Sequence, residues 1–404
     1  MPVFKKDRTV QIVVNTSNDQ WVIDKGMTLD VSAAPAIFQN TAFGNDDIII
    51  RGKILNDDPA MFSVMLDGTA NTVSVEKTGR IDAVKGIYAG SQSVVENKGR
   101  IVADETGIEA MFVRNTGILR ADTGVVLRDM AGGVNIGEDG EIHGRQYGIY
   151  EDNATVIRVV NRGLLHGDVA AVFSFSGSEM EFRNFGTVRG AVMMGDGDDL
   201  FINKGGRTGQ SEIWGGNGDD LFRVDRTGVA LREAAGEGYD TVETTASVSL
   251  GDNFEKLLLL GKAKIEGFGN NETNLITDAN RNATVIKGFG GADQINGGMG
   301  KNQLYGGAGD DVFYSGSGNE KLFGEEDADT FVFNPGCGKD IIMDFTDLVD
   351  LIDLSDYDDI PNAGALAGRV TMSGADTLIT LLNGDSIRLK NFDMNDLQAG
   401  DFIF

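Results

Sequence analysis

Between residues 70 and 194 apolar residues alternate with polar ones inside short segments, and the segments recur in register. Six glycines mark the repeat, Gly79, Gly99, Gly117, Gly140, Gly163 and Gly186, at intervals of 20, 18, 23, 23 and 23 residues. Two residues after each stands an apolar side chain: Ile81, Ile101, Leu119, Ile142, Leu165 or Val188. Four residues before stands Val75, Val95, Val113, Ile136, Val159 or Phe182. Four residues after, Ala83, Ala103, Ala121, Gly144, Gly167 and Gly190 are all small. Even spacing predicts strands with one face inward, and no i, i+3, i+4 stripe competes with it. A repeat of this length holding two or three short strands predicts one coil of a parallel β-helix, each coil covering its neighbours' apolar face. Asn97, Asn115, Asn161 and Asn184 lie two residues before the glycine, a placement that predicts a structural amide ladder. Ile48, Ile50, Gly52 and Ile54 look like an earlier coil, inside an irregular cap over residues 1–69. Segments such as Val169–Phe175 read as core, and Trp21 and Trp214 as packing residues.

From Gly288 the period falls to nine. The blocks GFGGADQIN, GGMGKNQLY, GGAGDDVFY, SGSGNEKLF and GEEDADTFV run in register to Val332. MGDGDDLFI, GGNGDDLFR and AGEGYDTVE are earlier relatives. The eighth position (Ile295, Leu304, Phe313, Leu322, Phe331) is apolar and predicts core; the sixth supplies a polar oxygen. Glycine lets such a turn close tightly and aim its carbonyls at one centre. An all-oxygen set of that kind suits a hard cation, Ca²⁺. Two blocks make one coil, so residues 18 apart stack into two columns: Asp293, Asp311, Asp329, and Asn302, Glu320. The first should hold Ca²⁺, with Asp311 central; the second is degenerate and should bind weakly or not at all. Asp199, Asp220 and Asp240, spaced 21 and 20, predict a third column. Asp196, Gly197, Asn217, Gly218, Gly307 and Gly309 of these turns complete the candidate metal set.

Charge sharpens this picture. The net charge is −27; residues 1–194 contribute −6 and residues 195–404 contribute −21. An acidic chain disfavours nucleic acid as a partner. No apolar run approaches the roughly 18 residues a transmembrane helix needs. A single cysteine, Cys337, excludes an internal disulfide framework.

The nonapeptides resemble Gly-Gly-x-Gly-x-Asp-x-apolar-x, the hemolysin-type calcium-binding repeat of repeats-in-toxin (RTX) proteins, over residues 195–404. That resemblance implies a parallel β-roll that folds on meeting calcium outside the cell, after export from a Gram-negative bacterium by type I secretion machinery. LQAGDFIF at Leu397–Phe404 resembles the family's uncleaved C-terminal secretion signal, in keeping with an N-terminus that lacks an apolar leader. The acidic run Asp344–Asp359 reads as a solvated linker, with further calcium ligands as the alternative.

The expectation is an all-β, elongated solenoid: cap (1–69), parallel β-helix (70–194), calcium β-roll (195–335), and a C-terminal cap and secretion region (336–404). It is a secreted, extracellular or cell-surface calcium-binding protein of structural or adhesive type, as in a surface layer or biofilm matrix, able to self-associate into filaments or sheets. The alternative is a β-helix protein that binds or modifies an acidic polysaccharide or cell-surface glycan. For it the candidate residues are an outward basic stripe, Arg120, His143, His166 and Arg189, three residues after successive repeat glycines, with Arg145, Tyr147 and Tyr150 nearby. No catalytic cluster stands out: His-Glu-x-x-His and Gly-x-Ser-x-Gly are both absent. A pore-forming toxin would need a long apolar segment, and Leu257–Leu260 is too short.

Overall fold

The computed structural model describes residues 3–4, 8, 11–128, 131–174 and 177–404. It resolves into two compact units, residues 1–220 with 229–232 and residues 221–228 with 233–404. Both are all-β parallel solenoids bearing almost no helix.

The first unit is a three-sided parallel β-helix. One coil is Val94–Asn97, Arg100–Ala103 and Thr106–Glu109, each paired in parallel with the coil before and after. Regular pairing already runs through the earlier chain, where Gln20–Ile23 pairs Asp47–Ile50 and Ile12–Val14 pairs Ile37–Gln39. From Ile118 the second and third strands fuse into single bent strands, Ile118–Arg128, Glu141–Asp152, Leu164–Phe173 and Thr187–Asp196. Gly144 and Gly167 sit at the bend, where a Cβ would collide with the carbonyls of Tyr147 and Ala170, so only glycine allows the turn this tightly.

The inner faces follow the alternating pattern. Ile81, Ile101, Leu119, Ile142, Leu165 and Val188 stack in one column and are fully buried. Each such side chain contributes about 1.5–3 kcal/mol by leaving water. The second apolar column differs in two coils. Val95 pairs with Val73 and Val113 with Val134, so Val75 and Ile136 fall instead on the asparagine column, opposite Asn97, Asn115 and Asn161. The turns before Gly79 and Gly140 carry two extra residues, which shifts counting from the glycine but not the strand register.

The amide ladder forms where asparagines are neighbours. Nδ2 of Asn97 donates to Oδ1 of Asn115 at 2.7 Å, Asn161 to Asn184 at 2.9 Å, and Asn184 to Asn203 at 2.8 Å, all buried. Ile136 interrupts it, and Asn115 turns its amide to the carbonyls of Gly117 and Glu141. Within Val169–Phe175, residues 170–172 are buried core, Val169 is 54% exposed, and Phe175 lies outside the described residues.

The second unit winds more tightly, with two strands per coil. Gln294–Asn296, Val312–Tyr314 and Thr330–Val332 form one ladder; Val285–Gly290, Gln303–Ala308 and Lys321–Glu326 form the other. The eighth-position residues Ile295, Phe313 and Phe331 stack on one side and Leu304 and Leu322 on the other, all fully buried. An antiparallel meander, Val370–Ser373, Asp376–Thr380 and Ser386–Leu389, follows, and Phe402–Ile403 pairs in parallel with Leu351–Asp353. Among the described residues, no helix is long and apolar enough to cross a membrane.

Candidate metal centre

The nonapeptide turn is built by glycines in the left-handed region. Gly307 has φ 125° and Gly309 φ 118°; a Cβ on either would collide with the carbonyl of Phe289 or Gly291 one coil away. Gly197 (φ 111°) and Gly218 (φ 123°) make the same turn in the first unit. Backbones thus stack closely enough for a sixth-position carboxylate to reach its neighbour.

Asp293, Asp311 and Asp329 form the expected column, each almost fully buried. Oδ1 of each accepts the backbone N–H one coil earlier: Asn274 to Asp293 at 2.7 Å, Asp293 to Asp311 at 2.7 Å, Asp311 to Asp329 at 3.0 Å. Oδ2 of Asp293 and Asp311 is buried with no hydrogen-bond partner. It folds back over the first glycine of its own turn, since a Cβ at Gly288, Gly306 or Gly324 would collide with Oδ2 of Asp293, Asp311 or Asp329. At Gly306 that Cβ would also sit 3.0 Å from the Gly324 carbonyl oxygen. Carboxylate and carbonyl oxygens therefore converge there. Burial, above all, raises Asp293 to about 7, Asp311 to about 6 and Asp329 to about 8.

Asp199 and Asp220 repeat the arrangement in the first unit. The N–H of Met180 donates to Asp199 at 2.6 Å, and that of Asp199 to Asp220 at 2.7 Å. Oδ2 of Asp199 is buried without a partner, and burial raises its pKa to about 8. Asp196 and Asn217 are paired in register on the outer side of these turns, with Nδ2 of Asn217 donating to Asp196 at 2.6 Å. Asp240 lies in the second unit, buried, where its N–H donates to Glu255 at 2.6 Å.

The degenerate column divides into two cases. Asn302 closes its own turn: Nδ2 donates to the carbonyls of Gly297 and Met299, and Oδ1 accepts from Thr284. An amide there supplies the positive hydrogens a cation would bring. Glu320 is different. Its N–H donates to Oδ1 of Asp340 at 2.8 Å, and both side chains are 1% exposed. Both Glu320 carboxylate oxygens and Oδ2 of Asp340 are buried without partners. Burial and the neighbouring carboxyl push Glu320 upward. Two stacked buried carboxyls cannot both ionise without a proton or a cation between them. The 18-residue period misses Asp340 because it follows Glu320 by 20 residues, the extra length lying in the turn around Gly336 and Gly338.

The acidic run also joins the site. Asp350, 4% exposed, continues the aspartate column by accepting the Asp329 N–H at 3.1 Å, and Asp344 accepts from Gly324 and Glu325. This stretch is part of the turns rather than a solvated linker.

The basic stripe is a true column. Arg120, His143, His166 and Arg189 are consecutive partners in the parallel ladder, and the two imidazoles meet edge to face at 5.8 Å. His143 Nε2 lies 3.0 Å from Glu141 and His166 Nε2 3.2 Å from Asp168.

Residues 285–304 and 297–331 match the RTX calcium-binding nonapeptide repeat, in four copies. The endo-1,3-1,4-beta-glycanase ExsH of Rhizobium meliloti (strain 1021) is 35% identical over 257 residues, 61% of this chain and 44% of that protein. The chain thus spans less than half the length of this curated relative. The crystal structure of the extracellular lipase LipA from Serratia marcescens aligns with a TM-score of 0.28 and 11% identity, over 63% of this chain and 45% of the lipase. A likeness that low carries nothing about activity.

Proposed function

We propose that this chain, a parallel β-solenoid carrying RTX calcium-binding repeats, is a secreted structural or adhesive protein whose roll is locked by Ca²⁺ outside the cell. The observation that carries the calcium part is the pair of buried, unpartnered carboxylate oxygens at Asp293 and Asp311, aimed into glycine turns, with Asp199 likewise buried and unpartnered in the first unit. Asp293, Asp311 and Asp329, with the carbonyls of their turns, are the ligands of the main column; Glu320 and Asp340 form a further site. Bound there, Ca²⁺ supplies the positive charge that lets these acids stay ionised while buried. Where free calcium is scarce, the same acids repel one another and weaken the roll. At about millimolar calcium, weak sites of this class fill and add stability by mass action.

The structural role is supported by the regular parallel stacking of strands in both units. A stacked fold presents β-edges at its ends, and head-to-tail contacts through them propagate. A calcium titration of the full chain, followed by circular dichroism and light scattering with chelator reversal, tests both parts. A rise in the melting temperature of the β-structure with calcium, then reversible growth into large particles, is the expected result. An unchanged melting temperature in chelator overturns the calcium lock; a monomer at every calcium level overturns assembly.

A further inference from the structure

The basic stripe does not end at Arg189. Arg189, Arg207, Gln210, Ser211 and Glu212 line a cleft of about 600 Å³ in the first unit, formed where the chain after Arg207 turns away before rejoining the sheet at Glu212. Many arginines of this acidic chain are committed: Arg80, Arg114, Arg128, Arg145, Arg158 and Arg183 each hold a carboxylate. Arg120, Arg189 and Arg207 are exposed, and among the described residues no carboxylate lies within 4.0 Å of them. The one acid lining the cleft, Glu212, is already engaged by Arg232 Nε at 3.2 Å. Two guanidinium groups therefore face the cleft uncompensated, in a protein of net charge −27.

The surroundings narrow the ligand. Met193 and Trp214 are register partners, half-buried and on the outer face, since the preceding Val192 and Ile213 are buried, and Trp214 follows the cleft residue Glu212 by two on the same strand. An indole offers a flat apolar surface to the C–H face of a sugar ring. Gln210, Ser211, and the carboxylates Glu141 and Asp168 along the stripe can hold hydroxyls. Successive coils lie about 4.8 Å apart, comparable with one pyranose unit, so the spacing of the column from Arg120 to Arg189 matches the repeat of an extended polysaccharide.

We propose that the cleft at Arg189 and Arg207, continued by the His166–His143–Arg120 column, binds an acidic polysaccharide. Carboxylate or sulfate groups of the sugar sit on the two arginines and a ring packs on Trp214.

The test uses the full chain in saturating calcium. Short oligogalacturonides, a neutral β-glucan oligosaccharide and a single-stranded oligonucleotide are titrated by calorimetry and by Trp fluorescence. The acidic oligosaccharide should bind and change the emission, and Trp214→Phe should abolish that change. The double variant R189Q/R207Q should weaken binding at least about tenfold, from loss of two charge-assisted contacts. R114Q, on another face, should leave it unaltered. Circular dichroism confirms that each variant folds. No binding of the acidic oligosaccharide, equal binding of the neutral one, tighter binding of the oligonucleotide, or a folded R189Q/R207Q with unchanged affinity would overturn the proposal.

Discussion

Replacing Asp311 by Asn should change the sign of its effect on stability with calcium. Oδ1 of Asp311 accepts the Asp293 N–H at 2.7 Å, and an asparagine keeps that bond. Oδ2, buried without a partner, becomes an NH₂ group facing the turn carbonyls, the arrangement Asn302 already adopts against Gly297 and Met299. In chelator at pH about 8 the wild-type carboxylate must ionise although burial has raised its pKa from 3.8 to about 6. That costs about 3 kcal/mol, which Asp311→Asn removes. In calcium at about 100 times the dissociation constant, each filled site adds about 2.7 kcal/mol. Asp311 lies between Asp293 and Asp329, so its loss disturbs two sites and about 5 kcal/mol. Urea melts read by hydrogen exchange across residues 285–332, with and without calcium, measure both. The reasoning fails if Asp311→Asn destabilises the roll in chelator, or if the calcium-loaded variant matches wild type.

Four further outcomes are expected. Without calcium, the folded pKa values of Asp199 (about 8), Asp293 (about 7) and Asp329 (about 8) exceed the unfolded 3.8. The folded form then holds protons the unfolded chain has released, so stability in chelator should fall as pH rises from about 4 to about 8; melts at stepped pH that show the opposite slope would contradict the burial account. Calcium should flatten this dependence and release protons on binding, which calorimetry in buffers of different ionisation enthalpy reads. Glu320→Gln should stabilise the chelated protein and lower bound calcium by one ion per chain, counted by equilibrium dialysis; an unchanged count would remove the Glu320–Asp340 site. In the first unit, Asn184→Ala strands Asn161 and Asn203 and should cost about 1–3 kcal/mol in a thermal or urea melt.

Much of this architecture was legible along the chain because a solenoid is close to one-dimensional. A residue's neighbours lie one coil away, so a sequence period becomes a spatial column, and Ile295, Phe313 and Phe331 stack as their 18-residue spacing requires. The same logic placed Arg120, His143, His166 and Arg189 side by side. Counting failed wherever a turn changed length. Two extra residues before Gly79 and Gly140 moved Val75 and Ile136 onto the asparagine column. A longer turn hid Asp340 beneath Glu320, and the run after Asp344 carried no period to reveal Asp350 as the column's next member. Sequence alone determined the repeat, the inward faces and the oxygen-rich turns, because side-chain alternation and glycine's positive φ are local properties. Tertiary structure alone decided which acids share a site, which amides satisfy themselves and which arginines stay uncompensated, because those depend on the partner a turn of variable length brings into reach.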